Sequence, residues 1–122
     1  MEFRQHRDNG DKKPTRYYSS KQENKVAKDV GGKTTANSGA TMFDKGDLKT
    51  DQFLIECKTK TSNSDSISIK KEWLDKLKDE SLFMKKKYEA LIFNFGPDSK
   101  NYAIIDLELF NILQEYLKSM ED

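Results

Sequence analysis

The sequence predicts an α/β fold, a mixed sheet of four or five strands with helices covering its faces. Three observations lead there. Apolar runs of strand length, at 53–55, 90–95 and 102–105, alternate with stretches whose apolar residues recur every three or four positions. Polar connections rich in Gly, Asn, Ser or Pro punctuate them, as at Gly31-Gly32 and Gly96-Pro97-Asp98-Ser99. A chain of 122 residues is long enough for one mixed core and short for two.

Taken in order, residues 1–19 are polar, contain Gly10 and Pro14 and lack apolar periodicity, so they read as a flexible basic arm. Its Arg4, Arg7, Lys12, Lys13 and Arg16, with Tyr17 and Tyr18, suit phosphate or an exposed base; a tail without a role is the competing reading. Residues 20–122 form the single domain. A helix over 20–30 starts near Ser19 or Ser20 and stops at Gly31-Gly32, with Val26, Ala27 and Val30 inward and Glu23 one turn earlier. The stretch 33–44 reads as a long loop, functional or simply mobile. Lys49-Thr50-Asp51-Gln52 carries the polar residues of a hairpin turn before the strand that ends Glu56-Cys57-Lys58.

Ser66-Ile67-Ser68-Ile69 alternates as a short strand does. A helix over 70–86 follows, with Trp73, Leu74, Leu77 and Met84 on a core face and Lys85-Lys86-Lys87 complementing its C-terminal dipole. Residues 90–95 read as a buried central strand and 102–105 as its antiparallel neighbour. Asp106 is placed to cap a last helix through Lys118. That helix carries Leu109, Ile112, Leu113, Tyr116 and Leu117, with Leu107 and Phe110 beside them. This is more apolar surface than an edge helix of so small a domain needs, so intramolecular packing and a dimer surface are both open.

The chemistry concentrates in the middle of the chain. Side chains alternate faces along a strand, so Glu56 and Lys58 share one face while Cys57 takes the other. With a two-residue loop at Asp51-Gln52, constant register sets Asp47 opposite Glu56; a four-residue loop keeps it on the same face, and an odd loop reverses it unless a bulge intervenes. Two converging carboxylates repel and call for a cation. Oxygen ligands suit Mg²⁺ or Mn²⁺ better than zinc. Beside such an ion, Lys58 is placed to orient a water or to neutralise charge on a phosphoryl transition state. The competing reading is a surface hairpin with solvated charges, in a chain that is 35% charged.

A helix-borne Glu23, a loop Ala36-Asn37-Ser38-Gly39-Ala40, the Gly46-Asp47 pair and the strand ending Glu56-Cys57-Lys58 together resemble the PD-(D/E)xK nuclease superfamily. Within it they are most similar to the small Holliday junction resolvases of archaeal and phage type, over about residues 20–106. The resemblance implies a restriction-endonuclease-like sheet and Mg²⁺-dependent hydrolysis of branched DNA, with Mn²⁺ able to substitute. It implies Glu23, Asp47 and Glu56 as metal ligands, with the backbone carbonyl of Cys57, and Lys58 as the catalytic lysine. Ser38 would lie near the scissile phosphate, and Gly39, Lys33, Lys45, Arg16 and Lys60 complete the expected DNA contacts. Two departures stand out: Asn24 follows the helical Glu where archaeal members commonly have Arg, and Gly46 replaces the proline of the superfamily name. A homodimer would present two sites to a four-way junction. The rivals are a restriction-type or nicking enzyme of the same superfamily, and a nucleic-acid-binding module without catalysis.

Composition narrows the classes further. No segment has the apolar length of a membrane span or a signal peptide, and one cysteine makes no internal disulfide, so the expectation is an intracellular, cytoplasmic protein. The phage-type resemblance extends this to a phage protein acting in its host's cytoplasm. Cys57 reads as a small buried hydrophobe, and the single His6 as a solvated tail residue. Residues 1–60 hold thirteen Lys and Arg against nine Asp and Glu, whereas residues 61–122 hold nine against twelve. The half that carries the candidate site is therefore the basic one, as a polyanionic substrate requires.

Overall fold

A computed structural model of the chain describes residues 15–34 and 48–121. Among them, helix α1 (Thr15–Val30) leads into strand β1 (Lys33–Thr34), and β2 (Leu48–Lys49) turns into β3 (Phe53–Lys58). Helix α2 (Lys71–Phe83), strands β4 (Tyr88–Phe93) and β5 (Tyr102–Ile104) and helix α3 (Leu107–Ser119) follow. The strands form one mixed sheet in the order β1-β2-β3-β4-β5, antiparallel except for the parallel pair β3 and β4. The α/β expectation holds. A parallel pair needs a long crossover, and α2 supplies it.

The sheet separates two apolar clusters because β3 and β4 alternate. Ile55 and Cys57 join Leu48, Ala90, Ile92 and the α1 residue Val26 on one face. Leu54 and Leu91 meet Leu77 on the other, with Trp73, Leu74, Met84, Ile69 and Ile104 packed around them. Leu48, Leu54 and Leu91 are fully buried, so each removes an entire aliphatic side chain from water, worth about 1.5–3 kcal/mol apiece. Cys57 is buried on the α1 face, as expected of a small hydrophobe.

The hairpin has the two-residue loop at Asp51-Gln52. Thr50 N–H donates to the Phe53 carbonyl at 3.0 Å and Phe53 N–H donates to Thr50 Oγ1 at 3.0 Å. Leu48 therefore pairs with Ile55, and Lys49 with Leu54. The Lys86 ammonium braces the turn, donating to the Thr50 carbonyl at 2.7 Å.

Several expectations are corrected. Helix α1 begins at Thr15, so residues 15–19 belong to a helix and not to the arm; Tyr18 is half-buried and lines a small pocket with Gln22, Thr59 and Asn101, a tertiary placement that cap preferences do not reveal. Lys33 and Thr34, expected to open a loop, form an edge strand. Residues 66–69 are not a strand: Ile67 and Ile69 turn partly inward and Ser66 and Ser68 outward, but the stretch pairs with no strand among the described residues. Helix α2 stops at Phe83 because Lys85 adopts a left-handed backbone (φ 57°) and Lys86 N–H reaches back to the Ser81 carbonyl at 2.8 Å. The chain then enters β4 at Tyr88, two residues before the expected start. The α1 stop is as expected, with Gly31 at φ 71° and Gly32 N–H on the Ala27 carbonyl at 2.9 Å. So is the α3 cap, where Leu109 N–H donates to Asp106 Oδ1 at 2.8 Å. No described helix is long and apolar enough to cross a membrane.

Two backbone positions give opposite predictions. Gly96 has φ 137°, and a Cβ there would collide with the backbone of Asn63, so Gly96→Ala is expected to cost about 2–4 kcal/mol in urea unfolding. Lys85→Gly relieves the left-handed strain at the end of α2 and is expected to gain about 0.5–1 kcal/mol in the same measurement.

Candidate active site

The C-terminal end of β3 gathers the charged groups. Leu54 packs under α2, so the alternation carries Glu56 and Lys58 to the α2 face. There Lys58 Nζ lies 3.7 Å from Glu56 Oε2 and 4.4 Å from the centre of the Trp73 ring. Both charged side chains are about a quarter to a third exposed, at 31% and 25%, so each keeps some water. An ammonium over indole gains about 0.5–2 kcal/mol, depending on how much water it retains. Glu56, Lys58 and Trp73 line an open cleft of about 360 Å³ together with Glu72, Lys76, Leu77 and Glu80. The Glu80 carboxylate, mostly buried, lies 3.8 Å from Lys76 Nζ.

The strand end is fixed from behind by a polar network. The Lys58 carbonyl accepts from Gln22 Nε2 at 2.8 Å and from Asn94 N–H at 3.3 Å. Gln22 Nε2 also donates to Asn101 Oδ1 at 3.2 Å, which accepts from Asn94 Nδ2 at 3.1 Å. Asn94 Oδ1 in turn accepts from Thr59 Oγ1 at 2.7 Å and Gly96 N–H at 3.1 Å. Gln22 and Asn94 are buried, and Gln22 Oε1 has no partner among the described residues. This network ties α1, the loop after β3 and the loop before β5 to the backbone of Lys58.

Of the residues singled out from the sequence, Glu56 and Lys58 come together as the alternation requires. Glu23 stands half-buried on α1, the helix that packs on the Cys57 face, and its neighbour Gln22 reaches the Lys58 carbonyl. Among the described residues no three acidic, His or Cys side chains gather into a group that would hold a metal. Asp47, Ser38, Gly39 and Lys45 lie outside the described residues. Arg16 is in the first turn of α1, and Lys60 Nζ donates to Ser64 Oγ at 3.2 Å near the mouth of β3. Lys33 faces Lys49 directly across the β1–β2 pair. With Lys86 and the hairpin turn, these two line a second cleft of about 530 Å³.

Sequence reasoning took Trp73 only as core, although it also walls the cleft. It passed over Gln22, Asn94 and Asn101 altogether. A polar Asn94 inside the apolar run Phe93-Asn94-Phe95 was the available signal, because a buried amide signals a hydrogen-bonded role. No protein-family model, curated protein or solved structure matches this chain.

Removing the Asn94 side chain takes one hydrogen bond from each of Thr59, Gly96 and Asn101, in the loops after β3 and before β5. Asn94→Ala is therefore expected to lower stability by about 2–4 kcal/mol in urea unfolding. An effect below about 1 kcal/mol would mean that water replaces the amide.

Proposed function

We propose that this protein is a Mg²⁺-dependent endonuclease that hydrolyses phosphodiester bonds of DNA, with four-way junctions as the preferred substrate and two copies acting together. The observation that carries the reading is the pairing of Glu56 with Lys58, two residues apart on one face of a central strand and open to a cleft at its C-terminal end. The hairpin register supports it. Leu48 lies opposite Ile55 on the α1 face, in the two-residue-loop hairpin that the metal reading requires. The five-stranded mixed sheet flanked by helices is the architecture that the nuclease resemblance implies.

The donor chemistry fits a hard cation. Glu56 is a partly exposed carboxylate, and Asp47 and the Cys57 carbonyl would add oxygen; Mg²⁺ takes one or two carboxylates and keeps several waters. Glu23, from α1, is the further acid the resemblance supplies. When bound, the ion supplies Lewis-acid polarisation of the phosphoryl group and a nucleophilic hydroxide at neutral pH. The chain's own part is positional. Lys58, held between Glu56 and the Trp73 ring, brings a cation to where charge accumulates on the phosphoryl oxygens. Cytoplasmic DNA is the substrate this reading assigns.

Binding of the DNA backbone falls to the basic positions. The cross-strand pair Lys33 and Lys49 sets like charges face to face, an arrangement that destabilises a bare sheet and that a phosphate would relieve. Ser38, Gly39, Lys45, Arg16 and Lys60 extend this proposed contact set.

Cleavage of a four-way junction, with and without Mg²⁺, tests the reading on the native chain, Glu56→Gln and Asp47→Asn. Both variants are expected to bind the junction normally and to cut at least about a hundredfold more slowly. Undiminished cutting by Glu56→Gln would reject the metal assignment. Binding should weaken with salt at a log–log slope of roughly −0.9 per phosphate neutralised.

A further inference from the structure

Helix α3 buries one residue, Leu109. Phe110, Ile112, Leu113, Tyr116, Leu117 and Met120 stand between 40% and 63% exposed. A helix of 13 residues is marginal in water on its own and draws its stability from packing, which the fold here provides at a single side chain. With aromatic and long aliphatic side chains of roughly 200 Å² each, these exposures leave on the order of 600 Å² of apolar surface on one helix. That is at the upper end for the largest patch on a monomer, and most of the ~800 Å² that each partner contributes to a standard interface.

The pattern on the helix identifies the occupant. Phe110, Leu113, Tyr116, Leu117 and Met120 follow the i, i+3, i+4, i+7 spacing of one stripe, while Glu108, Asn111, Glu115 and Lys118 fall on the opposite side. Exposed apolar residues flank Leu113 on both sides, Phe110 three positions before it and Tyr116 and Leu117 three and four after it, while Leu109 is held in the core. A stripe with that symmetry complements itself when the second helix runs antiparallel, and antiparallel packing also opposes the two helix dipoles.

We propose that α3 is a homodimer interface in which the helix pairs antiparallel with its own copy about a twofold axis at Leu113. Leu113 then meets the partner subunit's Leu113, and Phe110 packs beside the partner subunit's Leu117. The pairing deepens the two-copy reading above, but it stands on α3 alone, so oligomeric state and DNA cleavage test the two separately.

Sedimentation equilibrium of the full chain between about 1 and 100 µM is expected to show a dimer. Leu113→Glu, at a partly exposed position, is expected to weaken it by at least about a hundredfold while leaving the fluorescence of Trp73, the one tryptophan and on α2, unchanged. As a second measure, Leu113→Cys should form a reducible covalent dimer on mild oxidation, whereas Asn111→Cys, on the far side of the helix, should not. A monomer at every concentration overturns the proposal, as does a dimer indifferent to Leu113→Glu. Equal cross-linking at positions 111 and 113 overturns it as well.

Discussion

The structure depends on the strict alternation of β3 at the centre of the sheet. Hydrogen-bonded on both edges, to β2 and to β4, this strand cannot slip by one residue without exchanging its two faces. Its face toward α1 is wholly apolar, with Ile55 and Cys57 buried. Its face toward α2 changes character along its length, from the fully buried Leu54 to the partly exposed Glu56 and Lys58. The same register that seals one core therefore delivers an acid and a base, side by side, at the point where the other core opens to solvent. A slip would bury two charges against Val26 and expose Ile55 and Cys57. The cost of desolvating unpaired charges makes that state far less stable than the native one.

Around this strand the molecule is rigid on one side and open on the other. The Lys58 carbonyl is held by α1 through Gln22 and by the chain after β4 through Asn94, so the strand end is anchored where an irregular end would fray. The Lys58 side chain, by contrast, meets one carboxylate and one indole face, both weak partners at partial exposure. Anchored backbone with a loosely held ammonium suits the proposed role of Lys58, because stronger pairing would have to be broken before it could meet a phosphate. Elsewhere, Lys71 to Asp75 at 2.8 Å and Lys25 to Asp29 at 3.3 Å are helix-surface pairs that stabilise little beyond their own turns, whereas Lys78 to Glu89 at 3.7 Å joins α2 to β4.

Much of this was legible in the residues because it depends on local rules. The hairpin turn within 49–52, the shared face of Glu56 and Lys58, the glycine stop of α1 and the Asp106 cap all follow from periodicity and turn chemistry acting over a few positions. What escaped depends on partners distant in sequence. Residues 66–69 alternate like a strand, yet alternation only states which side faces inward; without a neighbouring edge to bond, the backbone stays irregular. The end of α2 came early through a left-handed Lys85, a conformation that no composition rule assigns to lysine. Gln22 and Asn94 joined the site through a network spanning 79 positions between Gln22 and Asn101, and Trp73 gained its second role from a lysine on another element. Of the proposed metal ligands, Asp47 lies outside the described residues.

The two faces of the domain also impose different demands on its surroundings. At the cleft beside Glu56 and Lys58 the exposed groups are charged and already solvated, so nothing in the energetics there calls for a permanent cover. On α3 the exposed groups are aliphatic and aromatic, and water is a poor solvent for them at any salt concentration. Hydrophobic burial does not respond to ionic strength as phosphate contacts do. On the proposed function and the proposed α3 pairing, salt should separate the two surfaces, releasing a nucleic acid from the lysines while leaving the α3 pair intact. A protein built this way would keep its two copies joined while it leaves and rejoins its substrate, with the assembly fixed by apolar area and the encounter governed by charge.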